Sequence, residues 1–410
     1  MVSSVVTGVL GLIYWIAAGR MFDAADVGRA SALISTATML GSLSCLSLDG
    51  VYERFLPLAG SDTRSAVLGG YLLSGAVALM TGAVFAWLPV AQRLLETTGQ
   101  RLLFPVMVAV FTAFALTDPI LTGLRRAPAV AAKNISFAVL KLLPIVLIGT
   151  GVATAGLVFS WTATAFAVTA VFAVAAVREA HSRRAVASGL PPARELLSYQ
   201  GAFLAMMLVS IALPLALPLI VVERAGLSAN AYFNLAWTMC SAAGLLRAAA
   251  GSAFIVEAVT PGADQAALVR KFAPLLGGLA VLTAAGLAAG GPLVLWLAGT
   301  DYLAAGWKLM LVMAFSSLVE TVVTSYYLLA QLRRSLRLMV ISQMLVVTVT
   351  LAAAHPLVAV LGITGAGVAY LAGFSLALLV VSVPLVRSVH EILAAPPPAP
   401  IVPEPDPSRA

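Results

Sequence analysis

Residues 15–57, WIAAGRMFDAADVGRASALISTATMLGSLSCLSLDGVYERFLP, return in altered form at 219–261, LIVVERAGLSANAYFNLAWTMCSAAGLLRAAAGSAFIVEAVTP. The offset sets Arg20 beside Arg224, Ala25 beside Ala229, Asp26 beside Asn230, Glu53 beside Glu257 and Pro57 beside Pro261. A chain that contains itself twice is built from two equivalent halves. In a membrane protein two such halves can enclose a path and rock around it, so the repeat points to a transporter.

That the solvent is a bilayer follows from composition. Apolar residues make up 61% of the chain and charged residues 10%, with a mean hydropathy of +1.02, which excludes an ordinary water-soluble domain. The apolar runs are long enough for helices that cross a hydrocarbon layer of ~30 Å, and they lack the alternation of a membrane barrel. The fold class expected is therefore an all-α integral membrane protein of about twelve transmembrane helices, in two pseudo-symmetric six-helix lobes around a central cavity. Breaking the chain at its charged and Gly/Pro-rich interruptions gives spans at 3–19, 27–48, 66–89, 104–124, 131–149, 155–177, 199–222, 230–250, 272–297, 305–329, 338–354 and 362–386. No Lys or Arg precedes the first span, so it lacks the basic head of a signal peptide and reads as a retained helix.

Of the 24 Lys and Arg, leaving aside Lys141 and Arg247, Arg20, Arg29, Arg93, Arg101, Arg224 and Lys308 fall in the loops or span ends of one side. The other sixteen fall on the opposite side. This bias predicts a multi-pass protein of the cell membrane with both termini cytoplasmic. The net charge of +7 then reflects topology and attraction to anionic lipid heads, not nucleic acid. Residues 1–177 form an N-terminal lobe and 199–386 a C-terminal lobe, joined by the Arg-, Pro- and Ser-rich cytoplasmic linker 178–198. Residues 387–410 form a disordered Pro-rich cytoplasmic tail.

Enzymatic chemistry has no foothold in this sequence. Cys45 and Cys240 lie within spans and read as small packing residues, and His181, His355 and His390 are scattered without metal-ligand spacing. A Walker loop and a nucleophile elbow are both missing. No cofactor, metal or catalytic residue is expected.

Charges at membrane depth carry more information, because each costs ~2.5–3.5 kcal/mol on insertion scales unless it faces protein or water. Glu320, in LMLVMAFSSLVETVVTSYYLL (309–329), is the deepest, with Ser316, Ser317, Thr321, Thr324 and Ser325 making one side of its helix polar. It reads either as a proton or cation coupling site or as a carboxyl tied to a neighbouring helix. Asp118 precedes the kinking Pro119 and is a second coupling candidate, although Arg125 and Arg126 seven and eight residues on place it near the cytoplasmic face. Lys141 can snorkel to the cytoplasmic surface or contact an anion. Arg54 and Arg247 occupy corresponding ends of the two halves beside Glu53 and Glu257. There they either line a mouth suited to a pyrophosphate or sit in local ion pairs. Arg20 and Arg29 flank the opposite mouth, against the charge bias. The glycines of Gly286-x-x-x-Gly290 and of Gly362-Ile-Thr-Gly365-Ala-Gly367 read as close helix contacts.

The segment 15–57 resembles the first two spans of Wzx-type oligosaccharide flippases of the multidrug/oligosaccharidyl-lipid/polysaccharide (MOP) exporter superfamily. The resemblance rests on the aromatic first span, Arg20-x-Phe22, Ala25-Asp26-Val27-Gly28, Leu48-Asp49 and Arg54-Phe55-Leu56-Pro57. Ala229-Asn230-Ala231-Tyr232-Phe233 is similar to the start of the family's second half. It implies a V of two six-helix lobes that collects a polyprenyl-pyrophosphate-linked glycan at the cytoplasmic face and releases it outside. Membrane lipids, a polysaccharide polymerase and glycosyltransferases are the partners this implies. Two features depart from the family: the first span starts almost at Met1, and intramembrane cations are few. A cation-coupled multidrug antiporter of the MATE type, in which Asp118 and Glu320 would matter most, is the alternative within the superfamily. A non-transporting scaffold for polysaccharide assembly is the alternative outside it.

Overall fold

The computed structural model describes residues 2–147, 153–183, 187–258, 264–333 and 335–394. Pro261, the partner of Pro57, and residues 395–410 of the expected disordered tail lie outside them, while 387–394 of that tail are helical, with no Pro or Gly there to stop the last helix. Among the described residues all regular structure is helical, because backbone polar groups within lipid must be satisfied inside their own segment. The helices are α1 (Val2–Met21), α2 (Ala24–Ser44), α3 (Leu48–Phe55), α4 (Thr63–Ala86), α5 (Thr98–Gly123), α6 (Ala127–Leu140), α7 (Leu142–Leu147), α8 (Ala153–Ser182), α9 (Ala193–Ala225), α10 (Leu227–Ala258), α11 (Gln265–Ala285), α12 (Gly291–Ala298), α13 (Thr300–Leu332), α14 (Leu336–Leu361) and α15 (Ile363–Ala394). Each of the twelve expected spans coincides with one of these helices or with a broken pair of them.

The breaks are where local chemistry overrides hydropathy. Nine of the described helices are long and apolar enough to cross a membrane alone, or ten if α2 and α3 are taken as one bent span. The chain bends by 52° between those two, at Leu46 and Ser47, both left-handed with φ of 52° and 56°. The expected fifth span is split at Lys141 into α6 and α7. Between α11 and α12, Gly286–Gly290 form one π-helical turn. A Cβ at Gly286 or Gly290 would meet nothing within 4 Å. The expected close packing there is thus replaced by a widened turn, which interrupts the regular i→i−4 ladder.

Helix also invades both ends of the expected linker, since 178–182 carries no Gly or Pro to stop α8. Gly189-Leu-Pro-Pro then ends any continuation, and the Gly189 amide is anchored on the Leu58 carbonyl at 2.8 Å.

For orientation, the end of the molecule at the α1–α2 turn is called the turn end, and the other the linker end. The two halves meet directly at the turn end, where α2 lies against α10 and α1 against α12. At Gly28 an added Cβ would fall 1.7 Å from the Leu227 carbonyl oxygen; only glycine admits so close an approach. Asn230 Nδ2 bridges the same contact, donating to the Gly28 carbonyl (2.8 Å) and the Ser31 hydroxyl (3.1 Å).

Candidate functional site

In the N-terminal half, Pro119 sits inside α5 and cannot donate to the Ala115 carbonyl, so the helix is weakened one turn before Asp118. Across the α5–α6 turn lies Lys133, fully buried. Its Nζ is 2.9 Å from Asp118 Oδ1, donates to the Phe114 carbonyl at 2.7 Å and lies 3.3 Å from the centre of the Phe114 ring. Asn134 Nδ2 donates to the other carboxylate oxygen at 3.1 Å. The Asp118 carboxylate thus has Lys133 as its counter-charge, while Arg126 pairs with Glu179 (2.9 Å).

Lys141 does not snorkel. It is 3% exposed, because α6 stops at Leu140 and the side chain turns inward among rings from α1, α6 and α8. Its Nζ lies 3.9 Å from the centre of Trp161, 5.1 Å from Phe137 and 5.5 Å from Tyr14. Ring faces carry negative charge and offset part of the cost of removing an ammonium from water.

In the C-terminal half α10 runs unbroken to Ala258, which places Arg247 eleven residues inside the helix end and 3% exposed. Arg247 Nη2 lies 2.8 Å from Glu320 Oε1, and Nη1 is buried without a hydrogen-bond partner. Both groups line a cavity of about 200 Å³ with Trp237, Cys240, Ser241, Gly244, Ser317 and Tyr370. The hydroxyls expected to make the Glu320 side of α13 polar mostly bond back to their own helix: Ser316 to Val312, Ser317 to Ala314, Thr321 to Ser317 and Ser325 to Thr321. Arg247 therefore pairs with Glu320, not Glu257, and it is not the structural counterpart of Arg54. That residue is exposed on α3, its guanidinium 5.2 Å from the Phe55 ring centre. The difference follows from the bend at Leu46–Ser47, which brings the first half to the surface one segment early.

Arg20 and Arg29 do not frame an open mouth. Arg20 Nη2 donates to the Trp296 carbonyl at 3.2 Å and Nε to that of Leu297, which ties α1 to the end of α12. Arg29 pairs with Glu96 at 2.7 Å. Arg93 adds a second tie between the halves, donating to the Glu223 carbonyl at 2.7 Å.

Three cations are therefore buried in the helical layer, more than the sequence led us to expect. Lys133 lies near the start of the expected span 131–149, where charge placement alone sets it with the loop cations. The signal that identifies it is hairpin symmetry: Asp118 and Lys133 stand equally far on either side of the α5–α6 turn at Arg125 and Arg126, so the two helices hold them at one depth.

No protein-family model matches the chain, and no curated protein sequence matches it. Solved structures do. A multidrug resistance MATE family transporter of the MOP superfamily in its inward-facing conformation superposes with a TM-score of 0.67 at 13% identity, over 94% of this chain and 95% of that one. The lipid II flippase MurJ in an inward closed conformation gives 0.62 at 11% identity, over 96% and 89%. An outward-facing MATE family transporter of the superfamily gives 0.58 at 12%, over 96% and 95%. The chain shares the all-helical fold of these structures.

Proposed function

We propose that the protein is a transporter that flips a polyprenyl-pyrophosphate-linked oligosaccharide from the cytoplasmic to the outer leaflet for surface polysaccharide assembly. The observation that carries this reading is the charge balance of the interior. Each deep carboxylate lies within 2.9 Å of a buried cation, Asp118 of Lys133 and Glu320 of Arg247. The Lys141 ammonium is left over as the surplus charge, and the Arg247 guanidinium, although balanced by Glu320, keeps an unpartnered donor at Nη1. An interior with surplus positive charge attracts an anionic cargo and repels a cationic one. The linker end is taken as cytoplasmic from the distribution of Lys and Arg. There Arg54 makes a first contact with the diphosphate and Arg247 a deeper one, its planar fork passing between Glu320 and phosphate oxygens. Arg20 and Arg93, which tie the two halves together at the turn end, then hold the outer side closed while the cargo enters. Glycosyltransferases and a polymerase fit as partners that supply and consume such a cargo.

In the MATE-type alternative Asp118 or Glu320 would bind the coupling cation. That reading requires a carboxylate free of cationic neighbours, and neither qualifies, so we assign both the role of counter-ions. The test is binding of a short-chain polyprenyl pyrophosphate to the purified protein. Arg247→Gln should weaken it about tenfold or more, the loss of a charge-assisted bond. Equal affinity in the variant, with its fold intact, would refute the assignment.

A further inference from the structure

The two buried lysines of the N-terminal half are held in different ways. Lys133 has a carboxylate and a carbonyl. For Lys141 no ion pair exists among the described residues; three ring faces from three helices surround its ammonium instead. These rings are braced as a set. Tyr14 and Trp161 meet edge to face at 5.7 Å, Phe137 and Trp161 at 5.5 Å, and the Tyr14 hydroxyl is fixed by Ser160 at 2.6 Å. Aromatic faces converging on a cation, without a carboxylate, are the means by which proteins recognise free alkylammonium groups.

We infer that this half contains an alkylammonium cage and that Lys141 is its tethered occupant, which makes Lys141 a specificity-determining residue that closes the half to cationic cargo. The side chain enters from the α6–α7 break, where Lys141 keeps a right-handed helical backbone and its amide donates to the Phe137 carbonyl at 3.1 Å. An ammonium supplied by the protein fills the volume and satisfies the rings, so an external amine finds neither space nor negative ring surface. Removing that occupant without disturbing the rings should convert a closed half into an amine-binding one. The inference does not depend on the cargo proposed above, because its readout is binding and not transport.

The experiment compares detergent-solubilised wild type with Lys141→Ala and Lys141→Ser, using n-butylammonium as probe and n-butanol as the uncharged control of similar size, by calorimetry and thermal melting. Both variants should bind n-butylammonium at least about tenfold more tightly than wild type does, and about tenfold more tightly than they bind n-butanol. The amine, not the alcohol, should also raise their melting temperature. Lys141→Met, which refills the space without charge, should not bind the amine. Wild type binding the amine as well as the variants, folded variants that ignore it, variants that prefer the alcohol, or variants that stay unfolded even in its presence would each overturn the inference.

Discussion

Changing Glu320 to Gln keeps the side-chain size and one acceptor for Arg247 but removes the countercharge from a guanidinium that is 3% exposed and already lacks a partner at Nη1. Breaking a fully buried pair by removing one partner costs about 3–5 kcal/mol. The Glu320 side chain is 22% exposed to its cavity, and water there relieves part of the stranded charge, so we expect about 2–3 kcal/mol. Arg247→Met, an apolar replacement of similar length, leaves only the better-hydrated carboxylate and should cost about 1–2 kcal/mol. The double variant has no charge to strand and should lie within about 1 kcal/mol of wild type; where it equals wild type the coupling is about 3–5 kcal/mol. Unfolding of the purified protein by graded denaturant in mixed micelles, run on all four proteins, measures the cycle. Additive single effects, or a Glu320→Gln variant within about 0.5 kcal/mol of wild type, would show that the pair does not hold the two helices as described.

Gly28→Ala should force α2 from α10, since its Cβ would meet the Leu227 backbone oxygen at 1.7 Å. Overpacking against backbone costs about 3 kcal/mol or more of the closed arrangement. A cysteine at Ser31, which is 1% exposed, should then react with a thiol reagent in the Gly28→Ala background after Cys45 and Cys240 are replaced, and continued protection would contradict the contact. Arg20→Ala removes two charged donors from the α12 end; because the group is exposed we expect about 1 kcal/mol, a roughly fivefold rise in molecules open at the turn end. Spin-label distances between α1 and α12 should broaden to longer values, and an unchanged distribution would remove Arg20 from the closure.

Hydropathy and charge placement made the twelve helices legible, because lipid allows few alternatives to a helix of sufficient length. They could not show the bend at Leu46–Ser47 or the break at Lys141, which are matters of backbone conformation and of contacts that hydropathy does not report. Gln200, for example, donates to the Leu46 carbonyl at 2.9 Å. The site was legible residue by residue, and less so as pairs. Glu320 stood out as a deep charge, whereas Arg247 read as a charge at the mouth beside Glu257; their meeting requires α10 to continue past the expected end of its span at residue 250. The Asp118–Lys133 pair was accessible through hairpin symmetry. The cage around Lys141 was not, since Tyr14, Phe137 and Trp161 come from three helices whose packing no local pattern encodes.

The central claim, that a surplus of buried positive charge selects an anionic lipid-linked glycan, is tested most directly in proteoliposomes offered two cargoes in parallel: a fluorescent polyprenyl-pyrophosphate oligosaccharide and a cationic dye. The account predicts that wild type moves the glycolipid to the opposite leaflet faster than empty vesicles do, that Arg247→Gln slows this about tenfold or more, and that the dye is not moved. Export of the dye with the glycolipid left in place would contradict it.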